Sequence, residues 1–123
     1  MYPIGTKLGV SELFYTHVGA YYGNGKVFHN HWKNGAEIIS MEEFASGKTI
    51  TVLEQGVADQ YAFFIRVQQA LSAPRPFNFL TNNCEHATSL VRSGVAASPQ
   101  VTFYGVLGLV ALGALTMSRG VRA

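Results

Sequence analysis

Apolar and polar positions along the chain predict a set of short strands followed by helices. Residues 1–12 mix Gly, Ser, Lys and apolar residues and predict an irregular lead-in. Leu13 to Tyr22 is rich in aromatic and β-branched residues and predicts a strand. Gly23-Asn24-Gly25 is a turn signal, and Lys26 to Asn30 returns as a second strand. Glu37 to Ser40 predicts a short strand. Ser40 then caps a short helix over Met41 to Phe44 that Gly47 breaks. Lys48 to Leu53 alternates with β-branched residues and predicts a further strand. Ala58 to Ala73 predicts a helix with Asp59 in its first turn and an apolar stripe of Tyr61, Ala62, Phe64, Ile65 and Leu71; Pro74 and Pro76 stop it. Phe77 to Leu80 predicts a short extended piece. Thr81-Asn82-Asn83 offers caps for a helix from Cys84 to about Ser93, closed by Gly94.

Val101 to Met117 departs from this pattern. It is apolar on every side rather than along one stripe, as expected of a helix that is buried or in lipid. Its length is at the short end of the roughly 17–25 residues that span a bilayer. No charged residue lies between Arg92 and Arg119, and Arg119 and Arg122 follow the segment as polar anchors would. The chain therefore divides into a folded domain over residues 1–98 and a hydrophobic helix over 99–123, a membrane anchor through 101–117. The alternative is an apolar helix packed on the domain or on a second copy. The fold class expected is α+β, a small antiparallel sheet packed against helices.

Charged residues make up 13% of the 123 residues, against about 25% usually; the apolar tail accounts for much of the shortfall. A net charge of +2 is too small to argue for nucleic acid by bulk electrostatics. One cysteine excludes an internal disulfide and a Cys-rich zinc module. Met1 to Gly5 lacks the basic run and apolar core of a secretory signal, so the domain is expected in a reducing cytosol, held at a membrane by the tail.

Three residues carry candidate chemistry. Cys84, in the first turn of a helix capped by Asn82 or Asn83, sits beside unpaired amides and the positive end of the helix dipole, which favour a thiolate. Taken alone it reads as a small buried hydrophobe. His17 lies mid-strand on the face of Leu13, Tyr15, Gly19 and Tyr21, and Gly19 leaves room for another group to approach. Whether His29 joins it depends on the hairpin. A two-residue Asn24-Gly25 loop pairs Gly23 with Lys26 and sets His29 opposite Ala20, facing away. A three-residue loop pairs Tyr22 with Lys26 and sets His29 opposite Gly19, within reach of His17. A thiol mechanism needs the second register. It would use Cys84 as nucleophile, His17 as base and His29 as the group that orients the base. A zinc site from His29, His31 and Cys84 ranks lower; His86 diverges from Cys84 on the helix.

Two blocks, Thr16-His17-Val18-Gly19-Ala20-Tyr21-Tyr22-Gly23-Asn24-Gly25-Lys26-Val27-Phe28-His29 and Asn82-Asn83-Cys84-Glu85-His86, resemble the two boxes of the lecithin:retinol acyltransferase-like family, a permuted branch of papain-like thiol hydrolases. The resemblance covers roughly residues 5–100. It implies a permuted papain-like fold, a nucleophilic Cys84, a base at His17 and a polar partner at His29. It also implies attack on a glycerophospholipid ester through a thioester, with no cofactor and no metal. Ala87 stands where the family carries an aromatic, and Glu85 and His86 are expected to be structural. Two other functions fit the same residues: an amidase or peptidase on peptide or cell-wall amides, and a non-enzymatic membrane-associated module with a relict site.

Overall fold

A computed structural model describes residues 1–109. Five strands form one antiparallel sheet: β1 (Lys7–Ser11), β2 (Thr16–Gly23), β3 (Lys26–His31), β4 (Gly35–Ser40) and β5 (Thr51–Glu54), in the order β4-β3-β2-β1-β5. The first four run as a meander. The chain then passes through α1 (Met41–Ala45) to place β5 at the far edge, beside β1. Helices α2 (Gln60–Ser72) and α3 (Cys84–Ser93) follow. The α+β class is therefore as expected.

Side-chain alternation gives each face of the sheet its own core. On one face Leu8, Val10, Tyr21 and Val27 pack with Phe44 of α1. On the other, Ala20 and Phe28 pack with Phe63 and Val67 of α2 and with Ala87 and Val91 of α3. Arg92 ties α3 to the start of the chain, donating to the Gly5 and Gly56 carbonyls at 2.7 and 2.8 Å.

Several expectations need correction. The lead-in contains β1, whose Leu8 and Val10 are fully buried. Gly9, a poor strand former, interrupts the pattern there; it lets the Leu53 side chain pack close, where a Cβ would lie 2.9 Å from it. Strand β2 starts at Thr16, not Leu13, because Leu13 and Phe14 belong to the β1–β2 turn, where the Glu12 amide donates to the Tyr15 carbonyl at 2.8 Å. The β5 strand begins at Thr51 rather than Lys48. In α2 the buried positions are Phe63 and Val67, while Tyr61 and Ile65 are exposed. Apolar residues occupy two sides of this helix, and the stripe that meets the sheet is 63, 67, 70 and 71. Asp59 is its N-cap, accepting from the Ala62 amide at 3.0 Å.

Residues 99–109 are helical, and from Thr102 to Leu109 every one is exposed. The rest of the apolar segment 101–117 lies outside the described residues. Among the described residues no helix is long and apolar enough to cross a membrane.

Candidate active site

The β2–β3 hairpin brings His17 and His29 together by a route that neither simple loop provides. Asn24 and Gly25, both at positive φ, form a two-residue loop closing on Gly23 opposite Lys26. A bulge between Tyr21 and Gly23 then adds a residue to β2, so His29 falls opposite Gly19. His17 Nε2 and His29 Nδ1 are 2.8 Å apart. Gly19 admits the Phe44 ring beneath the pair: a Cβ there would lie 2.9 Å from it and 2.7 Å from the Phe28 carbonyl oxygen.

On β4, Glu37 stands opposite His29, and its Oε1 lies 2.9 Å from His29 Nε2. Pattern reading missed Glu37; its place directly across the ladder from His29 became visible only with the β3–β4 register. The two contacts admit one self-consistent proton arrangement. A carboxylate only accepts, so His29 Nε2 carries a hydrogen. His29 Nδ1 then accepts, so His17 Nε2 carries the next hydrogen. His17 Nδ1 is left as a free base.

Electrostatics favour neutral rings. Burial holds His17 down at about 4, and the neighbouring His29 and His31 rings add to the effect. Burial also lowers His29, with Glu37 pulling the other way. Burial would raise the Glu37 carboxyl, but hydrogen bonds from His29 and Asn34 leave it below its ordinary value.

Cys84 is the first residue of α3. Asn83 is the cap: its Oδ1 accepts from the His86 amide at 2.9 Å, and His86 Nδ1 accepts from the Asn83 amide at 3.2 Å. His86 is thus structural, as expected. Asn82 does not cap; its Nδ2 donates to the Arg75 and Pro76 carbonyls. Asn30, buried on β3 between His29 and His31, donates to the Asn82 carbonyl at 2.9 Å and holds the Cys84 loop against the sheet.

Helix α3 packs on the sheet face opposite the two histidines, yet Cys84 has a way through. The β2–β3 ladder ends at Gly19 and His29; beyond it β2 pairs only with β1 and β3 only with β4. Tyr21 turns its amide and carbonyl toward the β1 side. Alternation therefore turns those of Val18 and Thr16 toward the opening. The Gln100 side chain fills Thr16's ladder positions, accepting from its amide at 2.8 Å and donating to its carbonyl at 2.9 Å. The Val18 amide lies against the Cys84 thiol. Burial pushes that thiol up, against the opposing pull of the Val18 amide. Desolvation thus opposes the thiolate that the helix terminus favours. No hydrogen bond joins Cys84 to either histidine among the described residues.

Glu85 is buried, and it serves the helix that follows rather than its own. Its Oε1 accepts from Ser98 Oγ at 2.7 Å and from the Gln100 amide at 2.8 Å, fixing the start of the 99–109 helix. That helix and the loop before α3 wall a cavity of about 320 Å³ over Cys84, lined by Tyr15, Trp32, Phe77, Phe79, Val101 and Tyr104 among others. The zinc alternative gains no geometric support: His31 Nδ1 accepts from the Lys33 amide, and no group of three His, Cys, Asp or Glu among the described residues is placed to hold a metal.

No protein-family model matches the chain, and no curated protein matches it.

Proposed function

We propose that the chain is a thiol-dependent acyltransferase or hydrolase of the lecithin:retinol acyltransferase-like kind, with a permuted papain-like fold, that forms a thioester on Cys84 from lipid esters. The observation that carries the reading is the hydrogen-bonded chain from His17 through His29 to Glu37, beside the opening that admits Cys84. The apolar, aromatic wall over Cys84 suits an acyl chain.

The resting pair is a thiol and a neutral imidazole. As the ester carbonyl enters, His17 Nδ1 takes the S–H proton while Sγ bonds to the carbonyl carbon. The Cys84 and Glu85 amides lie against the thiol in the first turn of α3, and amides at a helix start suit a developing oxyanion. Collapse breaks the ester C–O bond, and His17 returns the proton to the leaving alcohol. Water or an acceptor alcohol then attacks the thioester carbonyl with His17 again as base; collapse breaks the C–S bond, and His17 returns the proton to Cys84 Sγ. His29, held by Glu37, keeps the His17 ring in the productive tautomer throughout.

Incubation with mixed phospholipids followed by intact-mass measurement tests this. The expected result is an acyl adduct on the wild type and none on Cys84→Ala. Undiminished ester turnover by Cys84→Ala refutes it, and an adduct formed only from peptide amides moves the reading to an amidase. Among the described residues no hydrogen bond joins Cys84 to either histidine, which suits a second reading, a non-enzymatic membrane-associated module with a relict site. That reading predicts no adduct from any acyl donor.

A further inference from the structure

Beside the Cys84 cavity, which Trp32 and Phe79 line, a second depression is lined by Leu13, Phe14 and Phe103, and among the described residues these five side chains stay exposed. Leu13 is 87% exposed, Phe14 79%, Trp32 61%, Phe79 58% and Phe103 60%. They come from four separate segments: the β1–β2 turn, the β3–β4 turn, the loop before α3 and the 99–109 helix. Two adjoining depressions gather them on one side of the molecule, sharing Tyr15, Gln100 and Tyr104. The Tyr104 hydroxyl donates to the Phe14 carbonyl at 2.9 Å and ties two of the segments together. Folded domains rarely leave so much contiguous apolar surface without a partner.

The helix beside the collar says what kind of partner. Its residues 102–109 are exposed on every side and nearly all apolar. A protein partner covers one stripe of a helix, whereas a helix apolar all round calls for a medium that is apolar in every direction. The sequence past Leu109 stays uncharged through Ser118 before Arg119 and Arg122. Charge at the collar agrees. Lys33 holds its ammonium 5.4 Å from the centre of the Trp32 ring, so a cation accompanies the exposed tryptophan, as a surface with anionic lipid favours. Glu12, beside Leu13, is paired with Lys48 at 2.6 Å.

We infer that this collar docks the mouth of the Cys84 cavity on a phospholipid bilayer, with Leu13, Phe14, Trp32, Phe79 and Phe103 entering the boundary between headgroups and acyl chains. The inference rests on the lipid-ester reading above and adds the surface by which such a substrate is reached. A lipid would slide from the bilayer into the cavity without crossing water. Aromatic side chains, with an apolar body and a polar edge, suit that boundary.

Trp32 is the chain's one tryptophan, so its fluorescence reports on the collar and on no other segment. The test uses the full chain carrying Cys84→Ala. It is mixed with phosphatidylcholine vesicles containing a minority of phosphatidylserine, with and without brominated phosphatidylcholine. A blue shift and bromine quenching of Trp32 are expected. Leu13→Asp with Phe14→Asp, both at exposed turn positions, should weaken that signal roughly tenfold or more, with the circular dichroism spectrum unchanged. Co-flotation with vesicles while Trp32 neither shifts nor is quenched overturns the inference, because contact then runs through another segment. A Trp32 shift that follows protein concentration and not lipid overturns it in favour of a second copy. Turnover is not read, so the two readings fail separately. Quenched Trp32 in a protein inert toward every ester keeps the docking face and removes the lipid-ester reading. Turnover of a soluble ester with a silent Trp32 does the reverse.

Discussion

Acidification provides a direct test of the His17 environment. His17 is held at about 4 in the folded chain, against an ordinary 6.5. The unfolded chain therefore binds the proton first, and folding stability falls as pH drops from about 6.5 toward 4. The full gap corresponds to about 3 kcal/mol as an upper bound. His17 keeps some contact with solvent, so about 2 kcal/mol is the working expectation. His29 is lowered too and contributes with the same sign. The assay is urea unfolding at pH 7 and at pH 4.5, for the wild type and for His17→Gln. The wild type should lose stability between the two conditions, and the variant should lose about 2 kcal/mol less. Equal losses would refute the reasoning, as would an NMR titration placing His17 at or above its ordinary value. Activity should follow the same base: protonation of His17 removes the proton acceptor, so the acid limb of the rate profile should lie well below pH 6.5.

Other perturbations probe the supporting shell. Glu85→Ala orphans the Ser98 hydroxyl and the Gln100 amide; at about 1–3 kcal/mol each, the expected loss is about 2–6 kcal/mol in chemical denaturation. A loss within experimental error of zero would mean that Glu85 does not anchor the 99–109 helix. Gly19→Ala drives a methyl into the Phe28 carbonyl and the Phe44 ring; thermal unfolding should show a cost of about 1–3 kcal/mol. Glu37→Leu removes the acceptor for His29 Nε2. Because Glu37 is about a third exposed, thioester formation should slow by roughly tenfold rather than more. Glu37→Gln, which keeps an acceptor, should recover part of that, and unchanged rates in both variants would remove Glu37 from the positioning chain.

Much of the fold was readable from local chemistry. Asn24-Gly25 specifies a tight turn because both positions need positive φ, and Ser40, Asp59 and Asn83 specify helix starts because their side chains accept from amides three residues on. The candidate residues His17, His29 and Cys84 were readable for the same reason: each sits in a local block of unusual composition. Strand β1 was obscured by Gly9, whose value lies in what packs against it and not in its own propensity. The burial stripe of α2 was obscured because two sides of the helix are apolar and only contact with the sheet selects one. Glu37 and Asn30 were invisible because their partners lie on neighbouring strands or on the loop before α3.

Sequence alone determined which residues turn, cap and alternate, because those properties act within three or four positions of the chain. It also set out an uncharged, apolar segment over residues 101–117. Tertiary structure decided what those residues do together. The bulge at Tyr22, not the loop length, puts His29 across from Gly19 and beside His17. The parting of β2 from β3 beyond that pair turns the Val18 amide toward a thiol carried by a helix on the opposite face. Burial then opposes the charge that the helix start alone favours. Desolvation depends on everything packed around a group, and no local pattern records it.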